Sequence, residues 1–224
     1  MCSSDLVDAI FVEVADVTER HNVEKTQALL SQELAHRIKN QMAVVQAIVN
    51  QTLRGTPDVG AARQLINDRL GALASAHDLL LHGKGERASV LKLIETAMAP
   101  YGRSNERQIS ITGTDVELGP KAALSLALIL HELATNAVKY GALSVPEGRL
   151  DIQSTTTTVE GRWTFNLTWT EAGGPPVCEP SASGFGTRLL RGGITGVANR
   201  VELTYAITGF SFSLTTSADE ILSS

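Results

Sequence analysis

The sequence predicts an α+β protein: an antiparallel helical hairpin followed by an α/β sandwich with helices on one face of a largely antiparallel sheet. Two observations predict this class. Residues 22–53 and 59–81 are long stretches whose apolar residues recur at helical steps. Beyond residue 86, helical and strand-like segments mix at first and then end in consecutive strands, an order typical of α+β folds.

The hairpin consists of two long amphipathic helices joined by a short turn. Gly55-Thr56-Pro57-Asp58 ends the first helix, and Asp58 is the expected N-cap of the second, Val59–Leu81. Two helices alone bury too little apolar surface, so we expect the hairpin to pair with a second copy, as a homodimer, or to pack against its neighbour. The apolar positions of the first helix include Leu30, Leu34, Ile38, Val45, Ile48 and Val49.

A glycine-rich linker, Gly83-Lys84-Gly85, separates the hairpin from the second part of the chain. The helices predicted there are Ser89–Pro100, Lys121–Tyr140 and one that follows Gly186. The predicted strands are Gln108–Gly113, Arg149–Thr156, Arg162–Thr170, Glu202–Ala206 and Ser211–Thr215.

Composition bounds the class of protein. The 224 residues are 43% hydrophobic and 19% charged, which excludes a wholly disordered chain. A net charge of −5 argues against nucleic acid as the main partner. Two cysteines cannot build a disulfide framework, which favours a reducing, cytoplasmic location. No apolar run reaches the roughly 18 residues of a membrane span.

The first twenty residues are predicted to lie outside the two domains. Residues 1–6 have the character of a non-native leader, and residues 7–20 alternate apolar and polar side chains before turning helical. The second segment resembles the last strand and exit of a PAS sensor domain, although an ordinary edge strand fits it equally well. The resemblance implies that the chain is the C-terminal fragment of a longer protein with an upstream PAS-type sensor.

His36 is the first candidate for chemistry. It is two residues from both Leu34 and Ile38, so at about 100° per residue it points away from their apolar face. Arg37, Lys39 and Asn40 surround it with positive charge and an amide, and Asn40 is one turn along the helix. A neutral imidazole there can attack an electrophilic phosphoryl group. The alternative is a solvated surface histidine.

The second candidate is the end of the long helix, His131-Glu132-Leu133-Ala134-Thr135-Asn136-Ala137-Val138-Lys139-Tyr140. Glu132 and Asn136 are four residues apart and Lys139 is three further on, so all three share one face. Carboxylate and amide oxygens suit Mg²⁺, and a lysine suits nucleotide phosphates. The alternative is a solvated helix face with an i,i+4 polar pair.

The third candidate is a pair of loops, 169–176 and 183–188. Glu171 lies at the end of a predicted strand, and Gly173 and Gly174 follow it. An acid in this position can accept a hydrogen bond from the amine of a nucleotide base, and the glycines let the backbone come close to the base. Gly184-Phe185-Gly186 then opens a helix whose N-terminus can hold an anion. A short Gly-x-Gly more often marks a turn, and the spacing is neither a Walker A nor a Rossmann motif.

Together these motifs resemble the HWE branch of sensor histidine kinases, which is related to the HisKA_2 group. His36-Arg37-Ile38-Lys39-Asn40 resembles the phosphoacceptor box, the segment 131–137 the N box with its marker histidine, and Trp169-Thr170-Glu171 the Trp-x-Glu of the family name. The resemblance implies a dimerisation and phosphotransfer hairpin over 21–83, a Bergerat (GHKL) ATP-binding domain over 87–218 and a tail over 219–224. It also implies ATP-dependent autophosphorylation of His36 and transfer to an aspartate of a response regulator.

The family's site residues are carried over as what the resemblance implies. Asn136 would bind Mg²⁺, and Glu132 would assist in positioning a proton or water. Glu171 stands where related kinases place an adenine-reading Asp. Arg37 occupies the place of the acid that often follows the phosphoacceptor, so Glu33 is the hypothetical base for His36. The remaining nucleotide contacts would come from His131, Lys139, Tyr140, Gly173, Gly174, Gly184, Gly186 and Thr187.

Two other classes fit parts of the sequence. A GHKL-type ATPase, or a degenerate kinase acting as a scaffold, would keep the second domain and would not need His36. A helical-hairpin interaction module would not need Glu132, Asn136 and Glu171. The presence of all three candidate sites in one chain favours the kinase.

Overall fold

The structure is a computed structural model that describes residues 25, 27, 29, 31–32, 35, 38–56, 58–83, 87–105, 108–159, 161–180, 184–194, 197 and 199–223. The chain divides into two compact units, Met1–Asn50 and Gln51–Ser224. This division differs from the predicted linker at 83–85, because the second helix of the hairpin shares its core with the sheet. The leader, the PAS-like segment, Glu33 and His36 lie outside the described residues.

The first helix, α1, is continuous over the described residues 38–55. Ile48 is buried and Val45 and Val49 are half-buried, as predicted. Ile38, which was predicted to pack, is 57% exposed in the single chain. Leu30 and Leu34 lie outside the described residues.

Helix α2, Val59–His82, begins where the sequence predicts. The Asp58 carboxylate accepts a 2.6 Å hydrogen bond from the backbone N–H of Ala61, which satisfies one of the free donors of the first turn. The buried residues of α2 include Ala62, Arg69 and Ala76, which are spaced by seven residues, or about two turns. One stripe of this helix is therefore covered, and a charged residue lies in the middle of it.

The remaining elements are β1 Ala88–Ser89, α3 Val90–Asn105, β2 Ile109–Gly113, β3 Glu117–Leu118, α4 Pro120–Lys139, a short 3₁₀ turn Ala142–Ser144, β4 Arg149–Val159, β5 Arg162–Ala172, α5 Phe185–Gly192, β6 Asn199–Ala206, β7 Gly209–Ser217 and α6 Ala218–Ser223. The helices and strands predicted for the rest of the chain are present in the predicted order, whereas the 3₁₀ turn at 142–144 was not predicted and residues 219–223, predicted as a tail, belong to helix α6. Strands β1 and β3 form a two-stranded ladder that the sequence did not indicate.

The main sheet has the order β2-β4-β5-β7-β6. Strand β2 is parallel to β4 and the other neighbours are antiparallel, so the sheet is largely antiparallel as predicted. One face is apolar and fully buried, and it forms one core with α2, α3 and α4. The residues of this face include Leu150, Ile152, Phe165, Leu167, Trp169, Phe212 and Leu214.

The opposite face of the sheet is polar, as the alternation of side chains along a strand requires. It is exposed or half-buried, and its central strands carry Asp151, Gln153, Thr155, Thr157, Thr164, Asn166, Thr168, Thr170, Ser211, Ser213 and Thr215. Among the described residues, the helices therefore pack against the apolar face of the sheet.

Helix α3 was predicted to end at Pro100 and instead continues to Asn105. The proline costs the helix one backbone hydrogen bond, and its exposed position leaves room for the ring. In the part of the chain that the structure describes, no helix is both long and apolar enough to cross a bilayer.

Candidate functional site

Helix α4 carries the predicted acid, amide and lysine. Pro120 opens the helix, and no glycine or further proline interrupts the twenty residues up to Lys139. Its apolar face is buried in the core. Glu132 is buried with 8% exposure, whereas Asn136 and Lys139 on the following turns are exposed. The shared face therefore runs from a covered acid to an open amide and ammonium group.

Arg69 of helix α2 covers Glu132. Its Nε lies 2.7 Å from Glu132 Oε1, and the two side chains are 6% and 10% exposed. Its Nη1 donates a 2.6 Å hydrogen bond to Oγ1 of Thr52 in α1. Removing one partner of such a buried ion pair typically costs about 3–5 kcal/mol, since the other charge is then buried alone.

The start of helix α5 closes the other side of this ion pair. The Phe185 ring lies 3.9 Å from the Arg69 guanidinium carbon, which is a cation–π contact. A Cβ on Gly186 would lie 2.7 Å from Glu132 Oε2, so only glycine lets the helix approach the carboxylate this closely. The predicted Gly-x-Gly segment therefore lies beside the predicted acid of α4.

Glu171 has the second buried carboxylate of the site. Its Oε1 accepts a 2.9 Å hydrogen bond from the Trp169 indole, and its Oε2 a 2.8 Å bond from the backbone N–H of Ala142. Burial raises the pKa of Glu171, and these two hydrogen bonds partly oppose the rise. The carboxylate thus ties the end of β5 to the turn that follows α4.

Glycines around this turn allow the close approach. A Cβ on Gly141 would lie 1.9 Å from Glu171 Oε2, and one on Gly174 would lie 2.8 Å from the Ala142 backbone. Gly173 has φ +71, a conformation that side-chain-bearing residues rarely adopt, and its Cβ would lie 3.1 Å from Glu147 O. The glycine loop after β5 therefore packs directly against the turn that follows α4.

His131 precedes Glu132 on α4 and is half-buried. Burial lowers the pKa of its imidazole, and the neighbouring Glu132 carboxylate only partly offsets this effect. Burial therefore favours the neutral form of the ring. The charge of Asp68 on α2 also raises the pKa of the imidazole, whereas Arg69 on α2 and Lys139 on the same helix lower it.

The structure brings together many of the predicted site residues but not all. Glu132 and Gly186 are adjacent, and Glu171 and Gly174 meet at the turn 141–142. Of the remaining site residues, Tyr140 is 70% exposed at the end of α4, a Cβ on Gly184 would have no atom within 4 Å, and Thr187 is half-buried. Asn40 is exposed in the first unit. His36 lies outside the described residues.

Arg69, Thr52 and Phe185 were not singled out from the sequence. A signal for Arg69 was available, because it lies seven residues from both Ala62 and Ala76 and therefore on the same stripe of the helix. A charge between two small residues on a packed stripe indicates a buried partner. The partner itself could not be read from the sequence, since Glu132 is 63 positions away.

A separate groove of about 520 Å³ lies between α5 and β6 and contains none of the predicted site residues. Glu179 and Arg191 form an exposed 2.7 Å ion pair at this groove. Val201, Leu203, Thr204 and Tyr205 complete its lining.

Comparisons with known proteins agree with the motifs. A family model described as HWE histidine kinase matches residues 33–115. The blue-light-activated histidine kinase of Brucella anthropi is 43% identical over 197 residues, 88% of this chain and 40% of that protein. That of Brucella ovis is 44% identical over 177 residues, 79% of this chain and 36% of that protein. The chain thus spans well under half the length of these curated relatives.

Solved structures support the fold. The histidine kinase domain of the Erythrobacter litoralis EL346 blue-light activated histidine kinase matches with a TM-score of 0.53 and 15% identity, over 69% of this chain and 75% of that chain. A second structure of that kinase matches with a TM-score of 0.56 and 16% identity, over 81% and 63%. The predicted helical region with a GHKL-type sandwich is confirmed. By its motifs and its relatives, the chain belongs to the HWE histidine kinase family.

Proposed function

We propose that this chain is the core of a sensor histidine kinase, which transfers the γ-phosphoryl group of ATP to His36 and then to an aspartate of a response regulator. The observation that carries the proposal is the arrangement at the end of α4. The buried acid Glu132 lies beside Gly186 at the start of helix α5. The exposed Asn136 and Lys139 follow Glu132 on helix α4.

The donor set fits a magnesium nucleotide. The exposed amide of Asn136 offers an oxygen to Mg²⁺, and the ammonium group of Lys139 offers charge to the phosphates. Bound there, Mg²⁺ would supply neutralisation of the charge on the phosphate oxygens. Glu171 at the end of β5 is proposed to face the base, with Gly173 and Gly174 beside it. Tyr140 and His131 would border the nucleotide, and Gly184, Gly186 and Thr187 would form the base of a short lid.

The residues of the chain mainly position the reactants, as in other phosphoryl transfers. An imidazole nitrogen of His36 forms a bond to the γ-phosphorus while the bond to the bridging oxygen breaks, and ADP leaves with that electron pair. The proton of the imidazole passes to a base, for which Glu132 and Glu33 are the proposed candidates. Asn40, one turn after His36, is proposed to orient the ring or the incoming phosphate.

Control is proposed to come from an upstream PAS-type sensor. The relatives are named as blue-light-activated kinases, and this chain spans 40% of the Brucella anthropi protein. A cytoplasmic location and pairing with a second copy are further parts of the proposal, and both suit a kinase that acts on a diffusible regulator.

Substitution of the phosphoacceptor tests the proposal. The variant H36Q should lose all acid-labile phosphate on incubation with labelled ATP and should bind nucleotide as the unchanged chain does. The variant H77Q, which alters an exposed histidine of α2, is the matched control and should keep the label. Full labelling of H36Q would refute His36 as the acceptor. Nucleotide turnover without any protein label would favour the GHKL-type ATPase instead.

A further inference from the structure

Arg69 occupies an unusual position for an arginine. It is 5% exposed, and its guanidinium group contacts side chains of three helices other than its own. These contacts are the ion pair to Glu132 in α4, the hydrogen bond to Thr52 in α1 and the face of Phe185 in α5. The Arg69 side chain, in the second helix of the predicted hairpin, thus contacts both Glu132 of α4 and Phe185, the first residue of α5.

This arrangement withholds Glu132 from other groups. Arg69 occupies Oε1 at 2.7 Å, and helix α5 approaches Oε2 so closely that a Cβ on Gly186 would lie 2.7 Å from it. The residue is only 8% exposed. A carboxylate that must accept or orient a proton during phosphoryl transfer has to be reached by the group that carries the proton. In the observed state Glu132 is covered.

We propose that Arg69 is an inhibitory latch: its bond to Glu132 holds the kinase in a resting state, and loss of that bond frees the acid. The inference rests on the proposed function, because it concerns the acid of that same site. The latch is a side-chain contact between two helices, α2 and α4. It also couples to the nucleotide site, because Phe185 stacks on the same guanidinium group.

A purely structural role for Arg69 predicts the opposite outcome. If the ion pair only braced the fold, its loss would lower both stability and activity. If it is a latch, its loss raises activity in spite of any loss of stability. The direction of the change in autophosphorylation rate therefore separates the two roles.

The test measures initial rates of autophosphorylation of the 224-residue chain with labelled ATP. The variant R69M removes the charge at similar length, and we expect the rate to rise on the order of tenfold, as is typical of coupling between two sites. The variant T52V keeps Arg69 and Glu132 and removes the Oγ1 acceptor of Nη1, so we expect a smaller rise, about twofold to fivefold. The control R63Q alters an exposed arginine of the same helix and should leave the rate unchanged.

Nucleotide binding and thermal unfolding are measured on each variant, because R69M leaves a buried carboxylate without its cation. If R69M does not fold, T52V decides the question. Rates at or below that of the unchanged chain, in folded variants that bind nucleotide, overturn the latch and leave the proposed function standing. Absence of label in the unchanged chain and in every variant overturns both.

Discussion

The indole N–H of Trp169 donates a 2.9 Å hydrogen bond to the carboxylate of Glu171, two residues further along strand β5. Side chains two apart on a strand point to the same face, so the spacing alone places this pair together. Trp169 is fully buried and Glu171 is 5% exposed, and the backbone N–H of Ala142 completes the arrangement. The tryptophan and glutamate of the family's Trp-x-Glu motif therefore act as one structural unit.

Replacing Trp169 by Phe should destabilise the fold. The change keeps an aromatic ring but removes the N–H donor, which leaves a buried carboxylate short of a hydrogen bond, and it also leaves a small cavity. We expect the free energy of unfolding to fall by about 2–4 kcal/mol, as measured by urea denaturation. The control W163F alters a 58% exposed tryptophan of the same strand and should change it by less than about 0.5 kcal/mol.

A double-mutant cycle separates the hydrogen bond from the cavity. W169F in the E171A background loses the packing contribution but no indole–carboxylate bond, because alanine offers no acceptor for the indole N–H. Neighbours that share a hydrogen bond usually show a coupling energy of about 0.5–3 kcal/mol. Strict additivity of the two substitutions would mean that the indole–carboxylate bond contributes nothing to stability.

Glu171→Gln should change how stability depends on pH. Burial raises the pKa of the folded Glu171 carboxyl above its unfolded value of about 4.3. A raised pKa means that the folded state holds the proton more tightly, so the contribution of this group is fully present below the unfolded pKa and is lost as pH rises through the folded pKa. The difference in unfolding free energy, unchanged chain minus E171Q, should therefore decrease as the pH rises above about 4.3.

The comparison cancels the other carboxyl groups, because both proteins contain them. Unfolding curves in urea at several pH values between about 4 and 7 supply the difference. An increase with rising pH would show that the hydrogen bonds from Trp169 and Ala142 outweigh burial and that the pKa is lowered instead.

Gly186→Ala should destabilise a helix that alanine would normally stabilise. An added Cβ would lie 2.7 Å from Glu132 Oε2, and Arg69 holds that carboxylate in place, so the clash cannot be relieved by a free rotation. We expect a loss of about 1–3 kcal/mol from overpacking. Gly192 is in the same helix, and a Cβ there would have no atom within 4 Å. Its substitution by alanine should therefore raise the free energy of unfolding by up to about 1 kcal/mol.

Thermal unfolding of G186A, G192A and the unchanged chain shows whether each substitution lowers or raises the midpoint temperature. Opposite shifts of the midpoint support the close approach of α5 to Glu132. Equal stabilisation by both alanines would show that α5 does not lie against the carboxylate.

Most elements of the second unit were predictable because each of these has a local signal. Helix α4 has Pro120 at its start and an uninterrupted apolar face, and strands β4 and β5 alternate polar and apolar residues. The end of α3 was mispredicted because Pro100 is a strong local stop signal, and the surrounding helix overrides it. Strands β1 and β3 have two residues each, too few to show a period.

The candidate site was predictable where its residues share one element and not where they come from several. Glu132, Asn136 and Lys139 share a face through helix geometry alone. The bond between Arg69 and Glu132 joins residues 63 positions apart, and the unit boundary after Asn50 depends on how α2 packs into the core. Such relationships depend on tertiary packing, which local periodicity does not report.

Asn136→Ala should weaken magnesium-dependent nucleotide binding while leaving the fold intact. The amide is exposed on the surface of α4, so alanine removes a ligand for the ion without opening a cavity, and helix propensity rises slightly. Calorimetric titration with ATP should detect binding by the unchanged chain in the presence of Mg²⁺ and a loss of at least about tenfold in affinity for the variant, the effect of removing one charge-assisted contact.

Lys139→Ala isolates the contribution of the phosphate charge from that of the ion. Its affinity for ATP should fall at low ionic strength, and the difference from the unchanged chain should shrink as salt is added, because salt screens an exposed charge. Lys121→Ala removes an equally exposed lysine from the opposite end of the same helix and serves as the control for net charge. Equal losses for the two lysine variants would mean that net charge alone attracts the nucleotide, and the phosphate position assigned to Lys139 would then be wrong.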